Sequence, residues 1–112
     1  MTDVGLSMET REQASTGPHA YHMTVKGELD LDNAATLTTR LDDLIASGAT
    51  LVTLDASGVS FMDSTGLRAI VAAGNKLSAR GGRLLIEGVS GAVQRVLEIT
   101  GLLQRYQADP AG

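Results

Sequence analysis

The chain has 112 residues, 43% of them hydrophobic and 20% charged, which suits one compact domain and not a disordered chain. Nine basic against thirteen acidic side chains leave a formal net charge of −4, and Tyr21, Phe61 and Tyr106 are the only aromatic residues. A basic field and stacking platforms for nucleic acid are both lacking, the absence of Cys excludes thiolate chemistry, and no run reaches the roughly 18 apolar residues of a membrane span.

Residues 1–5 and 108–112 are small or polar, so both ends are expected to fray, leaving a core over about 6–107. The opening segment lacks the basic region and apolar run of a signal peptide, so a cytoplasmic location is expected. A weak strand over 6–13 and a clearer one over 19–26 flank the turn cluster Ser15-Thr16-Gly17-Pro18 and suggest a hairpin. In the second strand Tyr21, Met23 and Val25 alternate with His22, Thr24 and Lys26, the pattern of a half-buried strand. Asp32 stands as cap of a helix to about residue 47, with Leu37, Leu41, Leu44 and Ile45 on one face and Gly48 as its stop. The apolar run 51–54 reads as a strand covered on both sides. A second helix over 64–79 carries Leu67, Ile70, Val71, Gly74 and Leu77 and ends at Arg80-Gly81-Gly82. A strand over 83–87 follows. Ser90 then caps a helix with Val93, Val96 and Leu97 inward and Gly101 at its close, and 103–107 reads as a last edge strand. This order predicts a small α/β domain with a mixed sheet of four to five strands and helices mainly on one face.

Enzyme chemistry finds little support. His19 and His22 lie three apart in a strand, on opposite faces, and read as partly exposed strand histidines, not as a metal pair. No phosphate loop, dinucleotide fingerprint or metal-ligand spacing is present, and Met62 stands where a nucleophile elbow around Ser64 needs Gly. No catalytic residue, metal or cofactor is therefore expected. Asp42 and Asp43 read as a solvated helix face, and Asp55 as the end of a strand bonded to the turn Ala56-Ser57-Gly58.

The segment Phe61-Met62-Asp63-Ser64-Thr65-Gly66-Leu67 follows a buried strand and opens a helix, which places it at the carboxyl edge of the sheet, where open α/β proteins bind partners. Two readings stay open from the residues alone. One is a capped helix, with Asp63 or Ser64 accepting a first-turn N–H and Gly66 present for close packing. The other is a phosphoacceptor at a helix N-terminus, with Phe61 and Met62 as an apolar patch or as core.

Asp63-Ser64-Thr65-Gly66-Leu67 after Phe61-Met62 resembles the signature of the STAS domain, in particular of bacterial anti-sigma-factor antagonists, and Gly27-Glu28-Leu29-Asp30 resembles that family's second landmark. The order of elements and the Gly-Gly turn before the fourth strand fit as well. The resemblance implies a regulator of transcription and not an enzyme. The unphosphorylated protein would bind an anti-sigma factor that is also a serine kinase, freeing the sigma factor. Phosphorylation of Ser64, with Thr65 as second choice, would end the interaction, and a phosphatase would restore it. Asp63 would position the acceptor or cap the helix, and Asp30, Met62, Asp63, Thr65 and Gly66 would lie on the partner face. No direct contact with nucleic acid and no membrane insertion are implied, and the free protein is expected to be monomeric. The alternative within the family is a scaffold or transport-complex subunit that is never phosphorylated. Two departures stand out: the family often ends in a further helix after its last strand, and residues 8–18 are polar for a first strand pair.

Overall fold

Strands that alternate with helices pair in parallel, and a strand joined to its neighbour by a short turn pairs antiparallel. A computed structural model of the chain, describing residues 5–13 and 17–106, shows both arrangements in one sheet. The elements are β1 (Leu6–Glu12), β2 (Ala20–Leu29), α1 (Ala34–Ala46), β3 (Leu51–Met62), α2 (Ser64–Ala79), β4 (Arg83–Val89), α3 (Gly91–Ile99) and α4 (Leu103–Tyr106). The four strands lie in the order β1-β2-β3-β4; β1 runs antiparallel to β2, while β3 is parallel to both its neighbours. The expected fraying falls on residues outside the described range, Gly5 apart, as do Ser15 and Thr16 of the turn cluster. Across that turn the Gln13 N–H donates to the Ala20 carbonyl at 2.7 Å and closes the hairpin.

One face of the sheet is aliphatic. Met23 and Val25 of β2, Val52, Leu54 and Ala56 of β3, and Leu84 and Ile86 of β4 join Leu37, Leu41, Ile70, Leu77, Val93 and Leu97 of the helices in one buried cluster. Their partners in the period-2 alternation, among them Thr24, Asp55 and Glu87, line a basin on the opposite face. His22 belongs to that opposite set, yet it is only 7% exposed, so the expectation of a partly exposed strand histidine is corrected. It shares the basin with Glu9 and Arg11 of β1, Asp55 of β3 and Glu87 of β4, and its Nε2 lies 3.1 Å from Glu87 Oε2.

Five further expectations change. The helix cap expected at Asp32 is one residue off: α1 starts at Ala34 behind Asn33, and no side chain caps it. Asp32 is exposed, and its N–H donates to Asp30 Oδ1 at 3.0 Å as part of the preceding turn. The strand expected over 51–54 continues to Met62, because ten-residue β2 pairs with it as far as Leu29↔Met62. Asp55 thus sits at an irregularity inside β3, where Ser57 N–H and Oγ–H donate to its Oδ1 at 3.0 and 2.7 Å. Asp42 is more than solvated, since Lys76 of α2 donates to it at 2.8 Å. That exposed ion pair contributes about 0–1 kcal/mol, so α1 and α2 are held chiefly by their buried aliphatic residues, among them Leu37, Leu41, Ile45, Ile70 and Leu77.

The expected edge strand over 103–107 is a helical turn at 103–106, with Gln107 outside the described residues. Gly101, at φ 74°, ends α3, and the Leu102 N–H returns to the Leu97 carbonyl at 2.8 Å, turning the chain away from the sheet edge. Tyr106 is carried instead onto Gly74 of α2. Among the described residues β4 is therefore the last strand, and α3 and α4 follow it, so a helix after the last strand is present.

Candidate functional site

The parallel strands end at Leu29, Met62 and Val89, and α1, α2 and α3 begin just beyond them. Their N-terminal residues gather at one edge of the sheet. Ser90 caps α3 by accepting from the Val93 N–H at 3.2 Å, as its type and place predict.

Asp63 is the centre of this edge. Its backbone is extended, as an N-cap residue's is, and its side chain caps α2: Oδ1 accepts from the N–H groups of Thr65 and Gly66 at 2.9 and 3.0 Å. Oδ2 accepts from the Leu31 N–H at 3.2 Å, so the same carboxylate fastens the β2–α1 loop to the start of α2. That loop is built around Asp30 and Asn33. The Asp30 N–H donates to Asn33 Oδ1 at 2.9 Å, Asn33 Nδ2 donates to the Glu28 carbonyl at 2.6 Å, and the Asp30 carbonyl accepts from the Ala34 N–H at 2.8 Å. Asn33 is buried with both ends of its amide engaged.

Gly66 is required by space. A Cβ there would lie 2.7 Å from the Leu29 carbonyl oxygen and 2.7 Å from Leu29 Cγ. The first turn of α2 therefore rests directly on the end of β2. Ser64 is exposed on the outer side of that turn and Thr65 is half-buried beside it. Asp30 is half-buried. Met62 is buried in the core, so of the apolar pair before Asp63 it is Phe61, 47% exposed, that faces out. Gly66 is buried as well and shapes the face from beneath. Leu31 is 73% exposed and adds a second outward apolar side chain.

The fold thus brings together Asp30, Asp63, Ser64 and Thr65 at one surface, with Met62 and Gly66 under it. Leu31 and Asn33 were not anticipated. The signals existed: Leu31 stands between two aspartates and outside the apolar stripe of α1, and Asn33 is a cap-type residue immediately before that stripe.

Residues 8–108 match the family model of the STAS domain. The chain belongs to the STAS domain family. An anti-sigma-B factor antagonist of Staphylococcus aureus (strain NCTC 8325 / PS 47) is 34% identical over 95 residues, covering 85% of this chain and 88% of that protein. An anti-sigma-B factor antagonist of Bacillus subtilis (strain 168) is 36% identical over 80 residues, 71% of this chain and 72% of the relative. Among solved structures, the anti-sigma factor antagonist SpoIIAA in its unphosphorylated form superposes with a TM-score of 0.78 at 21% identity, covering 92% of this chain and 87% of that one. The phosphorylated form of the Bacillus protein superposes at 0.73, again at 21% identity, with coverage of 92% and 90%. At that identity the likeness establishes the STAS fold. Among the described residues no helix is long and apolar enough to cross a membrane.

Proposed function

We propose that this STAS domain is an anti-sigma-factor antagonist whose unphosphorylated form binds an anti-sigma factor with serine-kinase activity, and whose release is triggered by phosphate on Ser64. It works as a binding partner and not as a catalyst, in the cytoplasm where its transcriptional partners reside. The single observation that carries the reading is Ser64 exposed on the first turn of α2, directly after the capping carboxylate of Asp63, which also fastens the loop that carries the exposed Leu31. The antagonist names of the two relatives support the role.

The kinase would transfer the terminal phosphoryl group of ATP to Ser64 Oγ, with loss of the hydroxyl proton and release of ADP. A phosphatase would hydrolyse the ester. The new group carries about −1.5 to −2 charge at neutral pH. Thr65 and Gly66 N–H already bond Asp63, so these donors are not free to neutralise it. The charge stands next to a carboxylate on a surface that a partner must desolvate. A loss of about 3–4 kcal/mol from that repulsion weakens binding by roughly two to three decades.

The test is mass spectrometry of the intact protein and its peptides after incubation with ATP and the anti-sigma kinases of the same genome. One phosphate on Ser64, absent from Ser64→Ala, is the expected result. A kinase that binds the protein and transfers nothing contradicts the switch and favours a constitutive scaffold.

A further inference from the structure

The sheet face opposite the helices carries a second cluster, outside the signature and independent of the reading above. His22 on β2, Asp55 on β3 and Glu87 on β4 each offer one ligand atom, and these atoms all lie within 4.8 Å of one another. We propose that His22, Asp55 and Glu87 form a binding site for a divalent first-row transition-metal ion, of which Zn2+ is the type.

Register accounts for the grouping. Asp55 pairs with Glu87 directly across β3 and β4, and Thr24, two residues beyond His22, pairs with Asp55 across β2 and β3. All three side chains project into one basin of about 320 Å³, whose wall is completed by Glu9, Thr10, Arg11 and Thr24. His22 Nε2 and Glu87 Oε2 are 3.1 Å apart, close to the roughly 3.4 Å between neighbouring ligands of a tetrahedral zinc ion. One imidazole with two carboxylates is a donor set for borderline divalent ions, and the open side of the basin leaves room for water to complete the coordination.

Two further features favour a cation. Like charges placed directly opposite each other on adjacent strands repel, and Asp55 and Glu87 are so placed. Arg11 and Lys26 are the nearby basic side chains; among the described residues neither forms an ion pair with these carboxylates, although Lys26 favours the charged Asp55 at longer range, and Glu87 is bonded to His22 Nε2 at 3.1 Å, a contact that a metal ion would replace. The ligands are also held in place beforehand. Asp55 Oδ1 is fixed by two bonds from Ser57, which leaves its other oxygen for a ligand, and the His22 side chain is 9% exposed at the bottom of the site. Coordination needs the lone pair of Nε2, so in the neutral ring the proton resides on Nδ1 when the metal is bound.

The experiment is calorimetric titration of the full chain with ZnCl2 in metal-free buffer, together with thermal unfolding and the side-chain NMR signals of the imidazoles. Expected are saturable binding of one equivalent, a Tm that rises with Zn2+ concentration, and a shift of the His22 imidazole signals. Glu87→Gln, a change at an exposed residue that the fold tolerates, is expected to weaken binding by at least about tenfold, and His19→Gln to leave it unchanged. The proposal is overturned by the absence of saturable binding up to about 1 mM Zn2+, by equal binding in Glu87→Gln, or by loss of binding in His19→Gln. Phosphorylation of Ser64 plays no part in any of these readings, so failure here leaves the antagonist reading standing, and the reverse.

Discussion

A single carboxylate, Asp63, engages three backbone donors on two segments, the N–H groups of Thr65 and Gly66 in α2 and of Leu31 in the β2–α1 loop. The cap alone is a contribution of about 0.5–2 kcal/mol, and its placement leaves the adjacent Ser64 hydroxyl at the surface. Gly66 makes that placement possible, because any side chain would press on the Leu29 carbonyl. Gly66→Ala is expected to cost about 1–3 kcal/mol in urea unfolding; full stability in that variant contradicts the close approach. Asp55 gives a prediction in pH. The Ser57 hydroxyl and then the Ser57 N–H hold its carboxyl below the ordinary value of 3.8, outweighing the opposing effect of burial. The folded state therefore takes up that proton less readily than the unfolded chain. The stability gained is complete above the unfolded pKa and is lost as pH falls through the lower folded value. Ser57→Ala is expected to raise the Asp55 midpoint in a carboxyl NMR titration toward the ordinary value, and an unmoved midpoint would contradict the cause assigned.

Among the elements, α2 was legible with its full bounds, because the cap chemistry of Asp63-Ser64 and the break Arg80-Gly81-Gly82 are local signals. β3 was legible only as to its first residues. Its extension to Met62 depends on pairing with β2 and on the irregularity at Asp55, neither of which is written in the residues 51–62 themselves. The segment after α3 misled for a related reason: residues 103–107 read as an edge strand, and what makes a helical turn of 103–106 is Tyr106 reaching Gly74 on another element. The grouping of residues at the candidate surface was readable where it followed a motif, at Asp30, Asp63, Ser64 and Thr65. It was unreadable where burial decides, as between Phe61 and Met62, or where three strands contribute one residue each, as at His22, Asp55 and Glu87. The docking of α4 can be tested by itself. The Tyr106 ring is buried with its hydroxyl unpartnered among the described residues, and burial pushes its phenol pKa up against the opposing charge of Arg105. Tyr106→Phe is expected to retain or raise stability by about 1 kcal/mol, and Tyr106→Ala to lower it by about 3–5 kcal/mol. A large loss in the Phe variant would show that the hydroxyl has a partner.

At the scale of the whole molecule, the sheet separates two chemistries. Its carboxyl edge gathers the strand ends and helix starts into the surface proposed to bind the partner, and the side away from the helices holds the His-Asp-Glu basin. The Ser64 hydroxyl lies outside the aliphatic cluster that holds the fold, so under the proposed switch a charge added there would change what the surface can bind without disturbing what is packed beneath. Phosphorylation is thus expected to leave the far-UV circular dichroism spectrum and the near-native melting transition in place. The decisive measurement is the calorimetric Kd for the anti-sigma factor of the same genome, determined with the unphosphorylated and the Ser64-phosphorylated protein under identical conditions. The account predicts that phosphate raises Kd by about 100- to 1,000-fold while the circular dichroism spectra superimpose. Equal affinities, or a loss of affinity accompanied by loss of helix signal, would contradict it.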